Sequence, residues 1–185
     1  MKKLVLLLCL CAFSLPSTSQ NIFQKKKEVQ EKFKIDSSKV KTLDKTIKGL
    51  YKVISGEKDV ERNWKQFKFL FHPDAKLIPT GKNSEDIYKA KFMSPSEYIK
   101  SSDKWLKLNG FIEKEIHRKV NAYGNIAHVF STYECYHSKD DEKPFMRGIN
   151  SIQLLNDGKR WWIMNIYWSQ ETEENPIPKA YLPRK

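Results

Sequence analysis

Cysteine is scarce in this chain, which holds three among 185 residues. Two of them, Cys9 and Cys11, fall in an apolar run near the start, so only Cys135 lies beyond it. A domain with one cysteine has no internal disulfide, and its core must hold it together unaided. Long hydrophobic runs are lacking too. The longest, Leu4 to Leu15, is well short of the roughly 18 to 20 apolar residues that a membrane-crossing helix needs, and Pro16 with a polar stretch closes it. Arginines are few against many lysines, and no zinc spacing, RNA-recognition signature, helix-turn-helix pattern or internal repeat is present. Those absences exclude the usual routes to sequence-specific nucleic-acid recognition, although the net charge is +12. His72, Asp74, His117, His128 and His137 have no ligand spacing, so no metal is expected, and no cofactor.

What the start of the chain does contain is a basic Met1-Lys2-Lys3, the apolar run, and small residues at Ser17-Thr18-Ser19. That order predicts an export leader cleaved after Ser19, with a periplasmic or secreted product. Leu8 and Leu10, the residues before the two early cysteines, are too large for a lipid-anchor signal. Loss of Lys2 and Lys3 lowers the charge from +12 to +10. The remaining length suits one domain with a sizeable core. The expected division is a leader over 1–19, an extension over 20–36, the domain over 37–172 and an extended tail over 173–185.

Along the domain, Val40, Leu43, Ile47, Leu50, Tyr51 and Ile54 recur at helical spacing after Ser37-Ser38, with Gly56 as the stop. Asp59 is the expected cap of a second helix carrying Trp64, Phe67, Leu70 and Phe71, which His72-Pro73 ends. Leu77-Ile78-Pro79 reads as a short strand and Thr80 to Lys91 as a loop. Ser94-Pro95-Ser96-Glu97 is a capping box opening a third helix, which Asn109-Gly110 ends. From Phe111 the period changes to two. Phe111 to Val120, Ile126 to His137, Arg147 to Leu155 and Trp161 to Ser169 are four expected strands. Helices followed by an antiparallel meander mean α+β, with the helices on one face of the sheet.

With Asp157-Gly158 as a two-residue turn, Leu154 pairs with Trp161, Ile152 with Ile163, Asn150 with Asn165, and Gly148 with Tyr167. These residues share one face, apolar near the turn and amide- and hydroxyl-bearing at the far end, as a pocket requires. On the preceding strand the matching set is Ala127, Val129, Ser131, Tyr133 and Cys135. The candidate ligand-binding residues are therefore Ser131, Tyr133, Asn150, Asn165 and Tyr167. Asn150 and Asn165 serve equally well as mutually satisfied core amides, and the tyrosines as packing. The opposite face, with Trp162, Met164, Ile166 and Trp168, is apolar enough to need a cover, for which a homodimer partner or the N-terminal arm is the candidate.

The helix ending in Phe71-His72-Pro73-Asp74-Ala75, the short strand, the capped helix, and the strands through Gly148-Ile149-Asn150-Ser151 and Asp157-Gly158-Lys159-Arg160-Trp161 together resemble the nuclear transport factor 2-like superfamily. The likeness is to its polyketide-cyclase-like (SnoaL-like) branch and spans Val40 to Trp168. It implies a cone-shaped fold in which a curved antiparallel sheet packs against about three helices around a pocket. Members include ketosteroid isomerases, scytalone dehydratases, limonene epoxide hydrolases and binding domains without chemistry, so the fold alone does not choose a function. Catalysis in the resembled superfamily relies on an aspartate, alone or with histidine or arginine, inside the cone. The interior face assigned above carries no carboxylate. The expectation is thus an exported, non-catalytic domain that binds a small, partly apolar ligand or a protein partner. The alternative is a cyclase-, isomerase- or hydrolase-like enzyme using Glu134 or His128 as its acid–base group.

Overall fold

The computed structural model describes residues 33–184, together with Ile22. The expected leader, and all of the extension before Phe33 except Ile22, lie outside the described residues. After a short 3-10 turn at Ser37–Val40, helix α1 spans Leu43–Ile54 and α2 spans Trp64–Leu70. Strand β1 is Phe71–Lys82, β2 is Tyr88–Ala90, and helix α3 is Pro95–Asn109. Four long strands follow: β3 at Ile112–Tyr123, β4 at Ile126–Tyr136, β5 at Met146–Asn156 and β6 at Trp161–Gln170.

Capping chemistry explains where the helices begin. Thr42 accepts from the Lys45 amide and opens α1, so the expected single helix from Ser37 splits into a turn and a helix. Asn63, not Asp59, caps α2 by accepting from the Gln66 amide at 2.9 Å. Asp59 instead adopts a left-handed conformation in the connection. The Ser94–Glu97 capping box forms in full, with the Glu97 carboxylate accepting from the Ser94 amide at 2.7 Å. At the other end of α3, Gly110 has φ of 71°, and a Cβ there would lie 2.1 Å from the His137 carbonyl oxygen.

The six strands form one sheet in the order β2-β1-β6-β5-β4-β3. Two expectations change here. The strand expected at Leu77-Ile78-Pro79 runs from Phe71 to Lys82 and pairs in parallel with β6, so the sheet is mixed, not wholly antiparallel. The expected loop at Thr80 to Lys91 contains a hairpin, in which β1 pairs with β2 from Thr80↔Ala90 to Lys82↔Tyr88.

The core lies between the helices and the concave sheet face. Ile47 from α1, Phe67 from α2, Val129, Ile152 and Leu154 from the central strands and Ile163 from β6 are essentially inaccessible to water. Each such side chain contributes about 2 kcal/mol of burial free energy. The outer face is partly covered by the chain's own C-terminal tail, and the arm before Phe33, Ile22 apart, lies outside the described residues. The Thr132 hydroxyl donates to the Tyr181 carbonyl at 2.6 Å, Tyr181 packs on Phe130 at 5.0 Å between ring centroids, and Ile177 is buried. Glu171, gripped by Arg147, accepts from the Ile177 amide at 2.9 Å and starts the tail on that course.

Candidate functional site

Two bulges decide which side chains face the interior. In β3 the pairing with β4 runs from Tyr123↔Ile126 to His117↔Thr132, and then Ile116 is left over, so that Glu115 lies opposite Tyr133 and Glu113 opposite Cys135. In β6, Met164 is the extra residue between the pairs Leu154↔Ile163 and Gln153↔Asn165. One inserted residue moves every following side chain to the other face of the sheet.

The first bulge brings a carboxylate indoors. A cavity of about 380 Å³ lies between the helices and the sheet, lined by Leu50 and Ile54 of α1, Phe67 of α2, and Tyr98, Ser101, Ser102, Trp105 and Leu106 of α3. Phe111, Glu113, Tyr133, Met146, Asn150, Ile166, Trp168 and Gln170 line it from the sheet side, with Leu77 and Pro79 of β1. Glu113 is the sole acidic residue in this lining, and among the described residues no lysine, arginine or histidine joins it. This corrects the expectation of an interior without a carboxylate.

Glu113 is held at both backbone and side chain. Its amide donates to the Ser55 hydroxyl at 2.9 Å, and that hydroxyl also reaches the Glu113 carbonyl at 3.3 Å, tying β3 to the end of α1. Next to it, Gly56 and Phe111 exchange two backbone hydrogen bonds of 2.8 and 2.9 Å. Arg62, only 4% exposed, spans this junction by donating to the carbonyls of Gly56 at 2.6 Å and Val60 at 2.5 Å. The carboxylate itself receives one hydrogen bond, from Asn150 Nδ2 to Oε1 at 3.1 Å. Its remaining surface faces the largely apolar cavity, which opens partly to solvent and leaves the residue itself half-buried. Burial therefore pushes the Glu113 carboxyl up from 4.5 to about 7, against the lowering effect of the Asn150 hydrogen bond. Burial, and next the Glu113 charge, push the hydroxyls of Tyr51, Tyr98 and Tyr133 up, so all three stay protonated donors. The same two causes raise the Cys135 thiol.

The structure brings three of the five candidates together. Tyr133 and Asn150 line the cavity, and Ser131 lies directly beneath, opposite Asn150 and 2.8 Å from the Tyr51 hydroxyl. Gly148 makes room for Tyr133, since a Cβ there would fall 2.5 Å from the tyrosine oxygen. Asn165 and Tyr167 go to the outer face, because they follow the Met164 bulge. Asn165 pairs with Gln153 and donates to its side chain at 3.1 Å, and Tyr167 is 48% exposed. Ile166 and Trp168, expected outside, take their places inside. The alternative acid–base pair does not form either. His128 bonds the Ser151 hydroxyl at 2.8 Å, whereas Glu134, six residues along the same strand and so roughly 20 Å away, accepts from Tyr136 at 2.8 Å.

No family model matches the sequence, and no curated protein matches it. Solved structures do match in three dimensions. A nuclear transport factor 2-like protein of unknown function from Pseudomonas putida KT2440 superposes with a TM-score of 0.53 at 13% identity, over 76% of this chain and 94% of that one. The chain has the nuclear transport factor 2-like fold. A protein assigned as a scytalone dehydratase from Novosphingobium aromaticivorans shares this fold at a TM-score of 0.51 and 11% identity, covering 90% of this chain and 97% of its own. The β subunit assigned to an aromatic-ring-hydroxylating dioxygenase of the same organism superposes at 0.54 and 10% identity, over 73% and 94%. In this nuclear transport factor 2-like cone, Glu113 stands as the one ionisable acid facing an aromatic cavity.

Proposed function

We propose that this chain binds a small, uncharged and largely apolar molecule in the cone and exchanges a proton with it through Glu113, within the polyketide-cyclase-like branch of the fold. The observation that carries the reading is Glu113 itself: a lone carboxyl in an apolar cavity, with its pKa near 7, is present in both acid and base forms at neutral pH. Protonated tyrosines around it supply hydrogen-bond donors for a carbonyl or hydroxyl oxygen, and the aromatic walls supply contact area. The non-catalytic binding reading becomes the second one, favoured by the cavity's mainly apolar lining. The order Met1-Lys2-Lys3, apolar run and Ser17-Thr18-Ser19 supports export to the periplasm or beyond, and an intact mass starting near Gln20 in protein from the native host is its check.

The test of function uses a panel of aromatic and alicyclic ketones and phenols, with binding followed by calorimetry and proton exchange at the carbon next to the carbonyl followed by NMR in deuterated water. The wild type is expected to accelerate exchange for ketones that bind, and Glu113→Gln to lose roughly 100-fold of that rate while keeping binding within a few-fold. Binding with no exchange in the wild type would leave the second reading. Absence of binding across the panel would remove both.

A further inference from the structure

Glu113 is one end of a hydrogen-bonded chain that leads away from the cavity. Asn150 Nδ2 donates to Glu113 Oε1 and also to the Tyr51 hydroxyl oxygen, each at 3.1 Å. Tyr51 meets the Ser131 hydroxyl at 2.8 Å, and Ser131 in turn donates to Glu115. Glu115 is gripped by Arg118 through Nε at 2.8 Å and through Nη2, and Arg118 also reaches Asp44 on α1 at 3.1 Å. Glu115 is not part of the cavity lining.

Counting hydrogens gives this chain a single direction. A carboxylate paired with a guanidinium only accepts, so the Ser131 hydrogen is committed to Glu115. Tyr51 must then give its own hydrogen to Ser131, which leaves the Tyr51 oxygen as an acceptor. Asn150 can face that acceptor only with its nitrogen, and the second hydrogen of the same nitrogen falls on Glu113. We infer that Glu115, without touching the cavity, is a positioning residue that fixes the Asn150 amide with its N–H toward Glu113. The inference rests on the reading of Glu113 as the proton-exchanging group.

The donated hydrogen bond stabilises the charged form of Glu113 against burial. The other titratable groups coupled to Glu113 are Tyr51 from α1, Tyr98 from α3, and Tyr133 and Cys135 from β4, all held neutral. Arg118 and Asp44 stand at the far end of the chain, beyond Glu115. Replacing Glu115 by glutamine keeps its size but supplies a donor, which permits every hydrogen in the chain to reverse. Asn150 would then turn its oxygen toward Tyr51 and Glu113, and an acceptor facing Glu113 favours the protonated acid.

The experiment is an NMR titration of the Glu113 side-chain carboxyl carbon in the full chain without ligand. Glu115→Gln is expected to raise the midpoint by roughly one pH unit and to move the Asn150 side-chain amide resonances. Ser131→Ala, which cuts the chain with a smaller change, is expected to move the midpoint in the same direction. Glu115→Asp, which retains an accepting carboxylate, is expected to restore most of the wild-type midpoint. A midpoint that stays put in folded Glu115→Gln and Ser131→Ala would overturn the inference, and Ser131→Ala alone decides if the other variant fails to fold. No ligand enters the titration, so a failed search for ketone exchange leaves this result standing by itself.

Discussion

Glu113 and Glu115 are two residues apart on one strand and face the same side of the sheet, yet their surroundings are opposite. Glu115 meets a guanidinium and a hydroxyl at once, whereas Glu113 meets one amide and an apolar cavity. A paired carboxylate is a structural part, and an unpaired one in the same wall is a store of unfavourable charge that chemistry can draw on. The difference arises from what the neighbouring strand and helix present, and not from the residue type.

The largest effect separating the two comes from pH. Folding raises the Glu113 pKa from 4.5 to about 7, so the folded state holds that proton longer than the unfolded one. Its contribution to stability is therefore fully present below about 4.5 and is lost as pH rises through about 7. Glu113→Gln should remove this loss and be more stable than wild type at pH 8, by up to about 3 kcal/mol, with little difference at pH 4.5. Urea unfolding at the two pH values checks it, and equal differences at both would break the contrast.

Removing the partner of the other carboxylate should have the opposite sign. The side chains of Arg118 and Glu115 are 17% and 16% exposed, so solvent screens their pair only weakly. Arg118→Met leaves Glu115 with a hydroxyl alone, and a loss of about 2 kcal/mol at pH 7 is expected. Thermal or urea unfolding that shows no loss would mean that water satisfies Glu115 as well as Arg118 does.

The smallest effect sharpens the comparison at the cavity wall. Asn165→Ala and Tyr167→Phe alter the outer face, and stability should change by no more than about 0.5 kcal/mol, with the Glu113 titration unmoved. A shifted Glu113 midpoint in either variant would show that these residues reach the interior after all.

Much of the architecture was legible in the sequence because local chemistry carries it. The Ser94–Glu97 box, the stop at Asn109-Gly110, the four long strands and the inward set on β4 follow from capping, glycine and strict alternation. The β5–β6 partners were two residues off because the connection is four residues long. Asp157 accepts from the amides of Lys159 and Arg160, so pairing starts at Asn156↔Trp161. That error kept the face of each side chain. The errors that changed the candidate site came from Ile116 and Met164. Straight alternation from the Tyr123↔Ile126 pair sets Lys114 opposite Cys135 and leaves Glu113 on the outer parity. The same alternation beyond Ile163 turns Asn165 and Tyr167 inward. A bulge costs no recognisable residue type, so nothing in either run announces it.

The Ile116 bulge also makes the acidity of the cone a matter of strand register. Were Ile116 taken into regular pairing with β4, continuous alternation would set Lys114 opposite Cys135, and the same walls would enclose an amine in place of an acid. Deleting Ile116 would instead leave Glu113 opposite Cys135, so the reagent in the cone is chosen by how this strand pairs with its neighbour and not by the residues that line the cavity elsewhere.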